Sequence, residues 1–157
     1  MTKAAIQKTL ADNPFFSQLD DDAVAFLVDH AKERKLGQGE VIFRHGEHAD
    51  KFYLVRTGRI TVEIPAVYGP SLEIQNLGAG EVLGWSWLID PYKWDFQARV
   101  VEDADLLEID GTAVLENCEK NHNFGYEILK QFTELMSERL TGARRRMMDT
   151  FSPTGFA

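Results

Sequence analysis

The strongest fold signal in this chain lies in residues 37–64, which read GQGEVIFRHGEHADKFYLVRTGRITVEI. Short runs of β-branched and aromatic residues alternate here with turns that contain glycine, a pattern typical of antiparallel strands joined by tight loops. Similar runs continue downstream. The predicted strands are residues 41–43, 52–55, 59–64, 72–75, 96–101 and 106–109. Short strands at this spacing predict a β-roll, a closed or sandwich-like arrangement, over residues 36–110.

Two short helices are predicted ahead of the roll, within residues 4–35. The second follows the acidic triplet Asp20, Asp21 and Asp22 and runs to about Arg34. Carboxylates at a helix start are stabilised by the helix dipole, so we interpret this triplet as a helix start and not as a metal site.

A helical period returns in residues 112–151, weakly over 112–119 and clearly from Phe124. The long helix outruns a small β-domain, so its far half needs a partner, and a second copy of the chain is the simplest one. We therefore predict a homodimer, with packing of the helix on its own sheet as the alternative. The predicted interface residues are Phe132, Met136, Leu140, Ala143, Met147 and Phe151.

Length and composition restrict the protein class. With 157 residues, 44% of them hydrophobic, the chain is predicted to form a single domain over residues 1–157. A net charge of −8 argues against a surface built for nucleic acid. The single Cys118 excludes an internal disulfide and fits a cytoplasmic location. No membrane span or secretion signal is visible in the sequence.

Three segments carry a family resemblance: NPFFSQL at 13–19, GEVIFRHGE at 39–47 and FYLVRTGR at 52–59. Together with the order of elements, they resemble the cyclic nucleotide-binding domain of the bacterial Crp/Fnr regulators over about residues 13–150. The resemblance implies a mainly β fold with flanking helices, a double-stranded β-helix or jelly roll followed by a long C-terminal helix. It also implies a non-enzymatic regulatory role.

In that family the segment matching residues 80–97, the tryptophan loop, is a phosphate-binding cassette. Cyclic nucleotide-binding members use a Glu there for the ribose hydroxyl and an Arg for the phosphate. Gly84 matches the family glycine, but Trp85 stands at the Glu position and Trp94 near the Arg position. Since an Arg–phosphate contact is a strong charge-assisted one, its loss predicts that cAMP and cGMP do not bind tightly.

All three tryptophans of the chain lie in this loop, which leaves three hypotheses for it. In the first, the rings line a pocket for a flatter or more apolar ligand. In the second, they fill the space of the family's nucleotide site, and the chain is a ligand-free interaction or dimerisation module. In the third, Lys93 or Arg99 supports weak cyclic-nucleotide binding. The candidate ligand-binding residues are Gly84, Trp85, Ser86, Trp87, Tyr92, Lys93, Trp94, Gln97 and Arg99.

Enzymatic chemistry has little support in the sequence. The cluster of His45, Glu47 and His48 resembles part of a cupin metal site, so a metal-dependent enzyme is an alternative, but the second His-bearing hairpin is missing and both histidines are predicted to be exposed. No nucleophile elbow, P-loop or paired Cys/His motif is present. We therefore predict no catalytic residues, no metal and no cofactor.

The basic run 144–146 ends the long helix, where the resemblance would place a DNA-reading module next. The few residues that follow are too short for a helix-turn-helix, so we predict no specific nucleic-acid binding by this chain alone. Any signal is expected to pass through a protein partner.

Overall fold

The computed structural model describes residues 1–151, without the side chains of the last two. The elements in chain order are α1 (Lys3–Ala11), α2 (Asp21–Asp29), β1 (Ala31–Leu36), β2 (Val41–Phe43), β3 (Lys51–Ile64), β4 (Leu72–Leu77), β5 (Val82–Leu83), a 3₁₀ turn (Ser86–Leu88), β6 (Gln97–Asp110), α3 (Gly111–Lys120) and α4 (His122–Phe151).

The strands form an antiparallel sheet in the order β1-β6-β3-β4, with β2 added to β6 and β5 added to β3. Helices flank this roll on both sides in the chain, which confirms the predicted fold class. Within residues 1–151, no helix has the length and apolarity needed to cross a membrane.

Two long strands, β3 and β6, form the centre of the roll, where the sequence predicted two short strands each. They pair from Lys51 opposite Asp110 to Glu63 opposite Gln97. The predicted turn at Gly58 is instead a bulge: its φ is +90°, and a Cβ there would lie 2.4 Å from the carbonyl oxygen of Asp103. Only glycine allows the two strands to approach so closely while the ladder shifts register.

The prediction that the second helix runs to about Arg34 is wrong. Helix α2 ends at Asp29, and β1 pairs with β6 instead, so the roll begins near residue 31 and not at 36. The reason is a tertiary contact: the buried Glu108 carboxylate on β6 accepts Arg34 Nη1 at 3.0 Å and lies 3.4 Å from Lys32 Nζ. Lys32 and Arg34, whose charges in the sequence suggest an exposed helix end, thus lie on a strand beside this carboxylate.

The predicted caps and burial of the helices are otherwise confirmed. The Asp20 side chain accepts the Ala23 N–H at 2.8 Å at the start of α2, as the acidic triplet indicated. Phe124 and Ile128 on the first turns of α4 are buried against their own domain.

Phe132 is also inside the domain, which corrects its assignment to a dimer interface. Its ring is fully buried and meets Phe52 edge-on at 5.3 Å, Trp87 at 5.2 Å and Phe15 at 5.0 Å. Edge-to-face contacts at these distances are favourable in addition to the burial itself. This aromatic cluster joins α4, β3, the 3₁₀ turn and the segment after α1.

We expect Phe132→Ala to lower the free energy of unfolding by about 3–5 kcal/mol, because it leaves a cavity among the rings of Phe15, Phe52 and Trp87. Urea unfolding followed by circular dichroism measures this loss. Leu129→Ala on the same helix is the matched control, since Leu129 is exposed and its loss is expected to stay within about 0.5–1 kcal/mol. Equal losses for the two variants would contradict the assignment of Phe132 to the core.

Candidate ligand-binding site

A cavity of about 370 Å³ opens between the tryptophan loop, β4 and α4. Its lining is mostly apolar and aromatic. The lining residues are Phe43, Val62, Ile74, Gln75, Leu83, Gly84, Trp85, Ser86, Trp94, Asp95, Phe96, Met136, Arg139, Leu140, Ala143 and Arg146. Concave sites of this size with a few polar groups are typical small-molecule sites.

Gly84 and Trp94 form one wall of the cavity and depend on each other. Gly84 has a φ of +99°, and a Cβ there would meet Trp94 Cη2 at 2.7 Å. The Trp94 ring is buried and stacks on Phe43, with centroids 3.7 Å apart and planes 8° apart. The glycine is therefore required both by its backbone angle and by the indole that lies against it.

Trp85 forms the opposite part of the wall together with Arg139 of α4. The Arg139 guanidinium carbon lies 5.8 Å from the centre of the Trp85 ring, within the range of a cation–π contact. Its Nη1 donates to Gln75 Oε1 at 3.3 Å, and its Nη2 donates to the carbonyl oxygen of Val82. A helix side chain thus reaches across the cavity to β4 and β5.

Trp87 has a different role from its two neighbours. It is buried in the core, stacks on Phe52 at 4.9 Å, and donates its indole N–H to the Gly84 carbonyl oxygen at 3.1 Å. It is absent from the cavity lining. The hypotheses of pocket and plug therefore apply to different rings: Trp87 fills the core, and Trp85 and Trp94 border a cavity.

Four other candidate residues lie outside the cavity lining. The backbone of Tyr92 accepts the Ala49 N–H at 2.7 Å, and Lys93 forms an isolated bridge with His48. These contacts join the end of the tryptophan loop to the loop before β3.

Gln97 and Arg99, the other two, bind a carboxylate of their own chain. Gln97 Nε2 donates to the buried Glu63 at 2.8 Å, and Arg99 Nε donates to the same side chain at 3.1 Å. The hydrogen bonds that Arg99 donates to Glu63 lower the pKa of Glu63 and raise the pKa of Arg99. Arg99 therefore neutralises Glu63, and freeing it for a phosphate would leave a buried charge unpaired.

Three residues predicted for a dimer interface, Met136, Leu140 and Ala143, line the cavity of their own chain. The apolar stripe of α4 thus serves as the cavity wall at this level. Arg139 was missed because it is the polar member of that face. Its spacing of three from Met136 and four from Ala143 was the available signal, since residues at these spacings share one side of a helix.

The histidines considered as metal ligands and the single cysteine can be placed in the structure. His45 and His48 are exposed, as predicted. Within residues 1–151, no group of three or more His, Cys, Asp or Glu side chains is arranged to hold a metal ion. Burial raises the pKa of the Cys118 thiol to about 11, so the reactive thiolate is scarce at neutral pH.

We expect Gly84→Ala to destabilise the protein more than Gly46→Ala. Both glycines have a positive φ, 99° and 84°, but a Cβ at Gly46 would meet nothing within 4 Å. The backbone cost of about 1–2 kcal/mol is therefore shared, and the clash with Trp94 adds about 1–3 kcal/mol only at Gly84. Urea unfolding measures both, and similar losses would show that Trp94 does not depend on the glycine.

Comparison with known proteins places the chain in a family. The family model described as "Cyclic nucleotide-binding domain" matches residues 33–121. The cAMP-dependent protein kinase regulatory subunit of Blastocladiella emersonii is 32% identical over 82 residues, which are 52% of this chain and 20% of that protein. The Cyclic AMP receptor protein of Thermus thermophilus is 29% identical over 97 residues, which are 62% of this chain and 45% of that protein.

A solved structure shows the same fold. A candidate cyclic nucleotide-binding protein from Geobacter metallireducens GS-15 superposes with a TM-score of 0.77 at 21% identity, covering 89% of this chain and 98% of that one. The chain spans less than half the length of the two curated relatives above. The matches confirm the resemblance found in the sequence. This chain belongs to the cyclic nucleotide-binding domain family.

Proposed function

We propose that this chain is a non-enzymatic, ligand-sensing regulatory domain whose cavity binds a flat small molecule that is more apolar than a nucleotide, and that it does not bind cAMP or cGMP tightly. The cavity between the tryptophan loop and α4 carries the proposal. It is bordered by the loop that the sequence resemblance matched to the phosphate cassette, and its lining includes the aromatic rings of Phe43, Trp85, Trp94 and Phe96.

The contacts around the cavity argue against a cyclic nucleotide. Trp85 and Trp94 stand where the resemblance expects a ribose-binding Glu and a phosphate-binding Arg. The two suggested substitutes do not line the cavity, and Arg99 already neutralises the buried Glu63. The cavity does contain the Arg139 guanidinium, but this group comes from α4 and lies over the Trp85 ring. The indoles at the two family positions, which remove the ribose contact and take up its space, are therefore what disfavours a cyclic nucleotide.

Helix α4 offers the route by which a ligand could act. It forms one wall of the cavity, and Arg139 ties that wall to β4 and β5. A ligand that binds better to one position of α4 than to another would shift the helix toward that position. The shifted helix would be the surface that a partner protein recognises.

The far end of α4 supports a homodimer. Met147 and Leu140 have 61% and 53% of their surface exposed, and they are seven residues apart on one side of the helix. We propose that a second copy covers this side, with Met147 at the contact and the exposed part of Leu140, whose remaining surface borders the cavity, at its edge. Phe151, also predicted there, has a side chain outside the described part of the structure.

We expect calorimetry to show binding of naphthalene-1-carboxamide, a neutral aromatic probe, and no binding of cAMP or cGMP at micromolar concentrations. Ala143→Trp should abolish probe binding, because it adds an indole to the cavity lining. Ser137→Trp is the control, since it adds the same ring to an exposed position of α4 off the lining.

A micromolar or tighter dissociation constant for cAMP or cGMP would contradict the exclusion of cyclic nucleotides. No probe binding at millimolar concentrations would favour the ligand-free interaction module instead. Equal effects of the two tryptophan substitutions would show that the probe does not bind in this cavity.

We expect Met147→Glu to weaken self-association, because it places a charge in an apolar helix contact. Analytical ultracentrifugation over a range of protein concentrations measures the dissociation constant. Tyr126→Glu is the control, since it charges an exposed ring near the start of the same helix. A wild-type chain that remains monomeric at high concentration would overturn the dimer proposal.

A further inference from the structure

We infer that the ligand of this cavity is an aromatic carboxylate, with the Arg139 guanidinium as the group that binds its carboxylate. This inference rests on the proposed function, because it names the chemical class of ligand for the same cavity.

Arg139 is the cation placed inside the cavity. Three charged side chains line it: Arg139, Arg146 and Asp95. Arg146 and Asp95 are exposed to solvent, whereas Arg139 is half-buried and lies over the Trp85 ring. A ligand beside the Trp85 ring therefore meets the half-buried Arg139 charge within a mostly apolar lining.

The hydrogen-bond partners of Arg139 are neutral, and the carboxylates of Glu81 and Glu138 act on its charge only from farther away. Its two hydrogen bonds go to the neutral oxygens of Gln75 and Val82. Among the residues that the structure describes, no carboxylate lies within salt-bridge distance of its guanidinium. Burial lowers the pKa of the Arg139 guanidinium, the physical sign that its charged form has lost hydration.

A carboxylate fits this guanidinium in geometry as well as in charge. The planar fork of an arginine binds the two oxygens of one carboxylate through parallel hydrogen bonds, and such pairs are stronger when water is excluded. Apart from the exposed Arg146 and Asp95, the other polar side chains of the lining are the neutral Gln75 and Ser86, so Arg139 is the half-buried charged donor available to a carboxylate.

The rings around Arg139 select the rest of the ligand. Trp85, Trp94 and Phe96 line the cavity beside it. Aromatic side chains favour offset-stacked or edge-on contacts with another ring. An aromatic body with one carboxylate therefore satisfies both the apolar lining and the buried cation.

The test compares 1-naphthoate with naphthalene-1-carboxamide, which has nearly the same shape and no charge. We expect the wild-type chain to bind the carboxylate at least about ten-fold more tightly than the amide, as measured by calorimetry. Arg139→Met should remove this preference while keeping amide binding, because it retains the apolar stem and loses the charge. Arg145→Met, an exposed arginine off the lining, should leave the preference unchanged.

The outcomes separate the inference from the proposed function. Amide binding that equals or exceeds naphthoate binding in the wild type would overturn the carboxylate and leave the apolar cavity standing. A naphthoate preference that persists in Arg139→Met would overturn the role of Arg139. Failure of both probes at millimolar concentrations would overturn the cavity and the inference together. Should Arg139→Met fail to fold, Arg139→Lys tests the fork: it keeps the charge and is expected to lose most of the preference.

Discussion

The contact of Phe132 with Trp87 and Phe52 is the interaction on which the rest of this structure depends. Phe132 brings α4 against the roll, Phe52 supplies the strand surface, and Trp87 fixes the 3₁₀ turn between them. Trp87 is anchored in the core by stacking on Phe52 and by its hydrogen bond to Gly84. The tryptophans on either side of it in sequence, Trp85 and Trp94, border the cavity instead.

The cavity also shows how one helix can serve two purposes. The first turns of α4 fill the core through Phe124, Ile128 and Phe132. One turn further, Met136 and Arg139 line a space that the roll does not fill. The helix is therefore packed into the core at one end and borders a ligand-sized space at the next level. Under the proposed function, a ligand in that space would act on the far end of α4 only by favouring one position of the helix over another.

Much of the fold could be predicted because its signals are local. Turn glycines, alternation and helix caps are properties of short segments, and they located the roll and the helices. The failures come from contacts between distant segments. Nothing local shows that Lys32 and Arg34 meet Glu108, that Gly58 lies against Asp103, or that the apolar side of α4 faces inward at Phe132. The candidate site could be located because its tryptophans form a local signal within one loop. Arg139 lies 42 residues beyond Gln97, outside that loop, and was missed.

The charged character of β1 has a further consequence. Strand β1 is at one edge of the sheet, next to β6, and an edge strand offers unpaired backbone groups to any other extended chain. Its sequence AKERKL supplies Lys32 and Lys35 at that edge, with side chains that are 72% and 74% exposed. A second strand that approached would have to bury these ammonium groups. The composition that concealed β1 from sequence prediction thus protects the sheet from edge-to-edge aggregation.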